Sequence, residues 1–133
     1  MSRKLKDFIN PQQLPLTQSL TTGEEGNYFV EVLTSIQHTL NTMPVSYETE
    51  GQGMDAVVYL HYFLGGSDWW ITEIDSEEEQ YQAFGYVCLN GDTDNAEFGY
   101  VSIVELLMVG AELDYYWVPM SLRDVLELER GGC

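Results

Sequence analysis

The chain has 133 residues, the size of one ordinary domain, long enough to bury about two-thirds of its unfolded surface in a single core. With 44% apolar and 13% aromatic residues it has the apolar area that disordered chains lack, which excludes that class for its bulk. Its 22 acidic and 5 basic residues leave a net charge of −17, and no Lys or Arg occurs from Asp7 to Leu122; this argues against direct binding of nucleic acid or an anionic membrane and favours a cationic partner.

In chain order, residues 1–22 hold Pro11, Pro15 and a Gln/Ser/Thr-rich run and read as an extended N-terminal arm, ahead of a single α+β domain over 23–133. Thr22 and Glu25 have capping-box spacing, and Tyr28, Phe29, Val32, Leu33, Ile36 and Leu40 recur at helical spacing, predicting an amphipathic helix over 24–42 that Pro44 stops. Tyr47 to Gly53 reads as a loop or short strand. Ala56 to Leu64, almost continuously apolar, predicts a central strand. Gly65 to Asp68 has turn chemistry, so Trp69 to Asp75 is the returning strand of a hairpin. After an acidic turn at Ser76 to Glu79 comes a third strand, Gln82 to Leu89, and then a hairpin loop at Asn90 to Asn95.

Phe98 to Val101 reads as a short strand running into a helix, since Ser102 and Glu105 repeat the capping-box spacing and Gly110 suits a left-handed helix end. Leu113 to Val118 is expected as an edge strand, and Ser121 to Glu129 as the last helix. The sum is α+β: an antiparallel β-meander of three to five strands with two or three helices packed on one face.

Candidate chemistry is sparse. Glu73 and Asp75, two apart on a strand, project to one face, a pairing that serves acid/base work or simply a solvated surface; no nucleophile or oxyanion donor accompanies them. Asp92, Asp94 and Asn95 open like a calcium loop, but its sixth position is Glu97 instead of Gly and its twelfth is Ile103 instead of Glu. A hairpin turn with Asx-type hydrogen bonds fits these residues better. His38, His61, Cys88 and Cys133 are the only soft metal ligands, and they lack paired spacing, so neither a metal nor a cofactor is expected. His38 reads as a surface residue and His61 as a hydrogen-bonded residue of the core strand. The two cysteines make a poor disulfide framework and read as reduced thiols; with no apolar run of membrane-spanning length, the expectation is a soluble, cytoplasmic protein.

The residues Trp70, Thr72, Glu73 and Asp75, the turn at Glu77 to Glu79, Phe84-Gly85-x-Val87, and Glu97-Phe98-Gly99-Tyr100-x-Ser102-Ile103-x-Glu105-Leu106 carry a resemblance. This stretch, extending in outline over residues 56–118, resembles a family of bacterial, plasmid and phage proteins catalogued as domain of unknown function 2958. Where that family has Glu-Arg-Asp ahead of its last aromatic strand, this chain has Glu112, Leu113 and Asp114. The resemblance implies a small domain carried by mobile elements, with no activity attached.

The function these residues lead us to expect is non-enzymatic. Glu73, Asp75, Glu77, Glu78, Glu79, Asp92, Asp94 and Glu97 would stand in for phosphates and bind a basic surface of a nucleic-acid-binding protein, as a DNA mimic or counter-defence inhibitor does. In the alternative, the acidity serves solubility alone, and Tyr115, Tyr116 and Trp117 form the contact of an accessory homodimer or adaptor.

Overall fold

The computed structural model of the chain describes residues 5–10, 13, 26–45, 48–75 and 81–128, the side chains of 26–29 excepted. The predicted helix cap at 22–25 and the predicted turn at 76–79 therefore lie outside the described residues, Glu77, Glu78 and Glu79 among them. The architecture is α+β. Helix α1 spans Gly26–Thr42, and strands β1 (Val57–Val58), β2 (Leu60–Leu64), β3 (Ser67–Ile74), β4 (Gln82–Cys88) and β5 (Glu97–Ser102) follow. Helix α2 is Ile103–Met108; β6 (Glu112–Leu113), β7 (Met120–Ser121) and helix α3 (Leu122–Leu128) complete the chain.

Strands β2 to β5 form the expected meander, and β6 returns across the fold to pair antiparallel with β2, giving the order β5-β4-β3-β2-β6. The centre of the sheet is β3. The predicted central strand over 56–64 divides instead: Val57 and Val58 pair with Ser121 and Met120 in a separate two-stranded ladder, while Leu60 onward joins the main sheet. The first hairpin is tighter than its composition suggests. Leu64 pairs directly with Ser67, so only Gly65, at φ +58°, and Gly66 form the turn.

Pairing between β3 and β4 skips from Ile71 opposite Gly85 to Glu73 opposite Phe84, leaving Thr72 as the extra residue of a bulge. The insertion resets the inside-outside alternation, and every residue from Trp70 to Ile74 is buried. It also presses β3 against β4. A Cβ at Gly85 would stand 2.1 Å from the Trp70 carbonyl oxygen, so glycine is required there.

Each face of the sheet has its own core. On one, α1 (Ile36, Leu40) and α2 (Ile103, Leu106) cover Leu60, Tyr62, Ile71 and Ala83. On the other, α3 brings Leu122 and Val125 against Val58, Trp70 and Cys88, which corrects the expectation of helices on one face only: β7 pairs with β1 outside the main sheet and leads α3 to the second face. Local chemistry sets the ends of α2: the Ser102 hydroxyl accepts the Glu105 amide at 3.2 Å, and Gly110, at φ +97°, lets its own amide and that of Ala111 reach the Leu107 and Leu106 carbonyls.

Further expectations are corrected. Residues 5–10 are no extended arm: Leu5–Phe8 is a turn of 3-10 helix, Phe8 and Ile9 are buried in the first core, and the Tyr62 hydroxyl donates to the Phe8 carbonyl at 2.6 Å. Two apolar residues are too few to show periodicity, which is why the sequence hides them. Leu113 to Val118 is not one edge strand; only Glu112 and Leu113 pair, and a turn follows at Tyr115 and Tyr116. Cys88, buried at the end of β4, is disulfide-bonded, against the expectation of reduced thiols. Among the described residues no helix is long and apolar enough to cross a membrane.

Candidate functional site

The most concentrated polar chemistry among the described residues surrounds His61. Strand β2 sets it opposite Trp70 on β3, and Asp68 lies two residues earlier on that strand. His61 Nε2 is 2.7 Å from Asp68 Oδ1, and Nδ1 is 3.1 Å from Asp114 Oδ2. The Trp70 ring stacks on the imidazole at 5.7 Å and 12°, and Trp117 packs against it at 5.1 Å. Burial is the largest single influence on the His61 pKa and works to lower it. The hydrogen bonds and charges of Asp114 and Asp68 together outweigh burial, so the net shift is upward. Asp114 is held below the usual carboxylate range, first by its hydrogen bond to His61, against the opposing effect of desolvation.

This triad organises the backbone. Asp114 donates its amide to the His61 carbonyl at 2.9 Å, and its Oδ1 accepts the Tyr116 amide at 3.0 Å. Trp117 Nε1 then donates to the Val58 carbonyl at 3.0 Å. The aromatic run at Tyr115 to Trp117 is thus a turn fastened to His61, because an Asp side chain that captures the backbone competes with the strand ladder. With both ring nitrogens engaged and two indoles packed against the ring, His61 has no nitrogen left for a substrate. Sequence reading anticipated a hydrogen-bonded His61 but could not name Asp68 or Asp114 as its partners.

The acidic residues singled out above fall into different environments. Glu73 is buried, and its carboxylate accepts the Thr49 amide at 2.8 Å and the Thr49 hydroxyl. It fastens the 48–50 turn to the sheet and is not a surface charge, so the expectation of Glu73 beside Asp75 on an open face is corrected; the bulge at Thr72 is the cause. Asp75 is half-buried just beyond β3 and donates its amide to the Gln82 carbonyl at 2.7 Å. Asp92, Asp94 and Glu97 are exposed around the β4–β5 connection. There Asn95 Nδ2 donates to Asp92 Oδ2 at 2.7 Å, the local bond expected of that loop. Asp92 and Glu97 border a groove of about 440 Å³ that runs past Gly99. Among the described residues no group of three or more His, Cys, Asp or Glu side chains is arranged to hold a metal ion.

Two further surfaces bear on binding. Tyr116 and Val118 are 62% and 66% exposed beside a groove of about 340 Å³ between α1 and the turn after β6. Tyr115 and Trp117, by contrast, pack partly into the two cores. On the α3 face, β4 and β5 present a ladder of aromatics at the margin of the second core, against which Tyr86 and Phe98 pack while Tyr100 is exposed. Phe84 opposes Tyr100 and Tyr86 opposes Phe98 in the strand register, and Phe84 and Phe98 stack diagonally at 5.7 Å and 5°. A groove of about 340 Å³ lies over this pair, between the rings and the Thr49–Gly53 turn, with Glu50 in its lining.

Compared with protein-family models, with curated proteins and with solved structures, the chain matches none.

Proposed function

We propose that the chain is a non-enzymatic, strongly acidic interaction protein that occupies a basic surface of a nucleic-acid-binding protein. The observation that carries this reading is a surface of one sign: Asp92, Asp94 and Glu97 are exposed together within a sequence that has no Lys or Arg from Asp7 to Leu122. Duplex DNA carries roughly one charge per 1.7 Å of axis, and a protein competing for the same site must supply many fixed charges. Exposed Glu48, Glu50, Asp55, Glu105 and Glu112 add to the set. The resemblance to domain of unknown function 2958 suggests a mobile element as the setting, and counter-defence against restriction or CRISPR machinery as the use, by analogy alone.

The test is capture from a nuclease-treated host lysate, with salt elution and DNA competition. Recovery of a basic nucleic-acid-binding protein, displaced by DNA and lost when Asp92→Asn, Asp94→Asn and Glu97→Gln are combined, supports the proposal. A partner that survives high salt and the triple substitution, but is lost on Tyr116→Ser, supports the adaptor or homodimer reading instead, which the exposure of Tyr116 and Val118 favours.

A further inference from the structure

We infer that the groove over the Phe84–Phe98 pair receives an arginine side chain presented by a basic partner protein, an inference that rests on the reading of the chain as an acidic binder. Two phenyl rings on adjacent strands, nearly parallel and set by the sheet register, line it. Tyr100 and Tyr86 meet those rings edge-on, each at 5.2 Å, and Tyr100 is 58% exposed. One wall is the turn that Thr49 anchors to buried Glu73, so the groove is held from both sides. Exposed Glu50 stands in that wall as an unburied carboxylate. About 340 Å³ is small for a ligand site and adequate for one long side chain.

Charge and shape together choose the occupant. Aromatic faces attract a cation, and a carboxylate at the rim offers an acceptor. A guanidinium uses both at once, lying flat on a ring while its N–H groups reach the carboxylate; an ammonium is compact, strongly hydrated and has no plane to stack. An apolar side chain would cover the rings and leave the acidic rim unanswered. A second copy of the chain would set −17 against −17. Arg123 already pairs with Asp55 at 3.2 Å. The fitting occupant is an arginine of another, basic protein.

The experiment titrates the full chain with an oligo-arginine peptide and an oligo-lysine peptide of equal length and charge, at several salt concentrations, and follows the aromatic resonances of Phe84 and Phe98. The expected result is about tenfold tighter binding of the arginine peptide, with shifts at those rings. Phe98→Leu, which keeps apolar bulk without a ring, should bring the arginine peptide down to the affinity of the lysine peptide. Should Phe98→Leu fail to fold, Glu50→Gln, an exposed change, should reduce the preference. Equal affinity for the two peptides, or a preference indifferent to both substitutions, overturns the inference. If both peptides bind equally and both weaken on neutralising Asp92, Asp94 and Glu97, the inference fails while the proposed function stands. If neither peptide binds at low salt, both fail. Concentration-dependent self-association that shifts the same rings would assign the groove to a second copy and overturn the inference.

Discussion

His61 shows how much one side chain can organise. It joins β2 to β3 through Asp68 and to the turn after β6 through Asp114, and two indoles pack against it. Its pKa is raised from the ordinary 6.5, so its contribution to stability is complete below that value and is lost as pH rises through the folded-state pKa. The Asp114 pKa is lowered from 3.8, so its contribution is complete above that value and is lost as pH falls through the folded-state pKa. The two overlap fully between pH 3.8 and 6.5. Urea unfolding of Asp114→Asn beside the unaltered chain should show a loss of about 2 kcal/mol in that window. The difference should shrink as pH rises past the histidine's folded-state pKa. A loss that does not vary with pH would mean that the pair acts through packing alone.

Among the elements, the β3–β4 pair is the most demanding. Its bulge at Thr72 lays the Trp70 carbonyl where a Gly85 side chain would be, so Gly85→Ala should cost about 3 kcal/mol, the upper end of ordinary overpacking. Gly99, on β5, has nothing within 4 Å of a would-be Cβ, and Gly99→Ala should change stability by no more than about 0.5 kcal/mol. Denaturant midpoints of the two variants check the contrast; equal effects would refute the close approach. The N-terminal turn makes a second case. Phe8 and Ile9 fill the core under α1 and α2, so Phe8→Ala should cost about 4 kcal/mol by the same measurement, whereas a chain end that merely lay on the surface would tolerate the change.

For the molecule as a whole, charge opposes compactness. A net charge of −17 on 133 residues repels itself, and the described residues pair Arg123 with Asp55 only at an exposed position. Added salt should therefore raise the melting temperature, by about 4 °C for each kcal/mol of repulsion screened. A thermal scan across a sodium chloride series checks this, and a flat response would mean that the carboxylates lie too far apart to oppose folding. The same surface that costs stability in isolation would gain from a basic partner, which links this measurement to the proposed function.

What could be read from the residues alone was what near neighbours decide. The apolar and aromatic runs of β2 to β5, the turn chemistry of Gly65 to Asp68, the Ser102–Glu105 cap and the Gly110 stop depend on residues a few positions apart, and the meander followed from them. The one-signed charge needed only counting. The rest depended on contacts between distant positions: Thr49 with Glu73 across 24 residues, His61 with Asp114 across 53, and Asn10 with the Ala111 carbonyl across 101. A bulge that one extra residue creates turned Glu73 from a surface charge into a buried anchor, because it shifts the alternation on which any strand reading rests. Which aromatics of β4 and β5 pack against the α3 core, as Tyr86 and Phe98 do, and which stay exposed, as Tyr100 does, was likewise decided only when the sheet was covered, since strand residues of the same type differ in what lies above them.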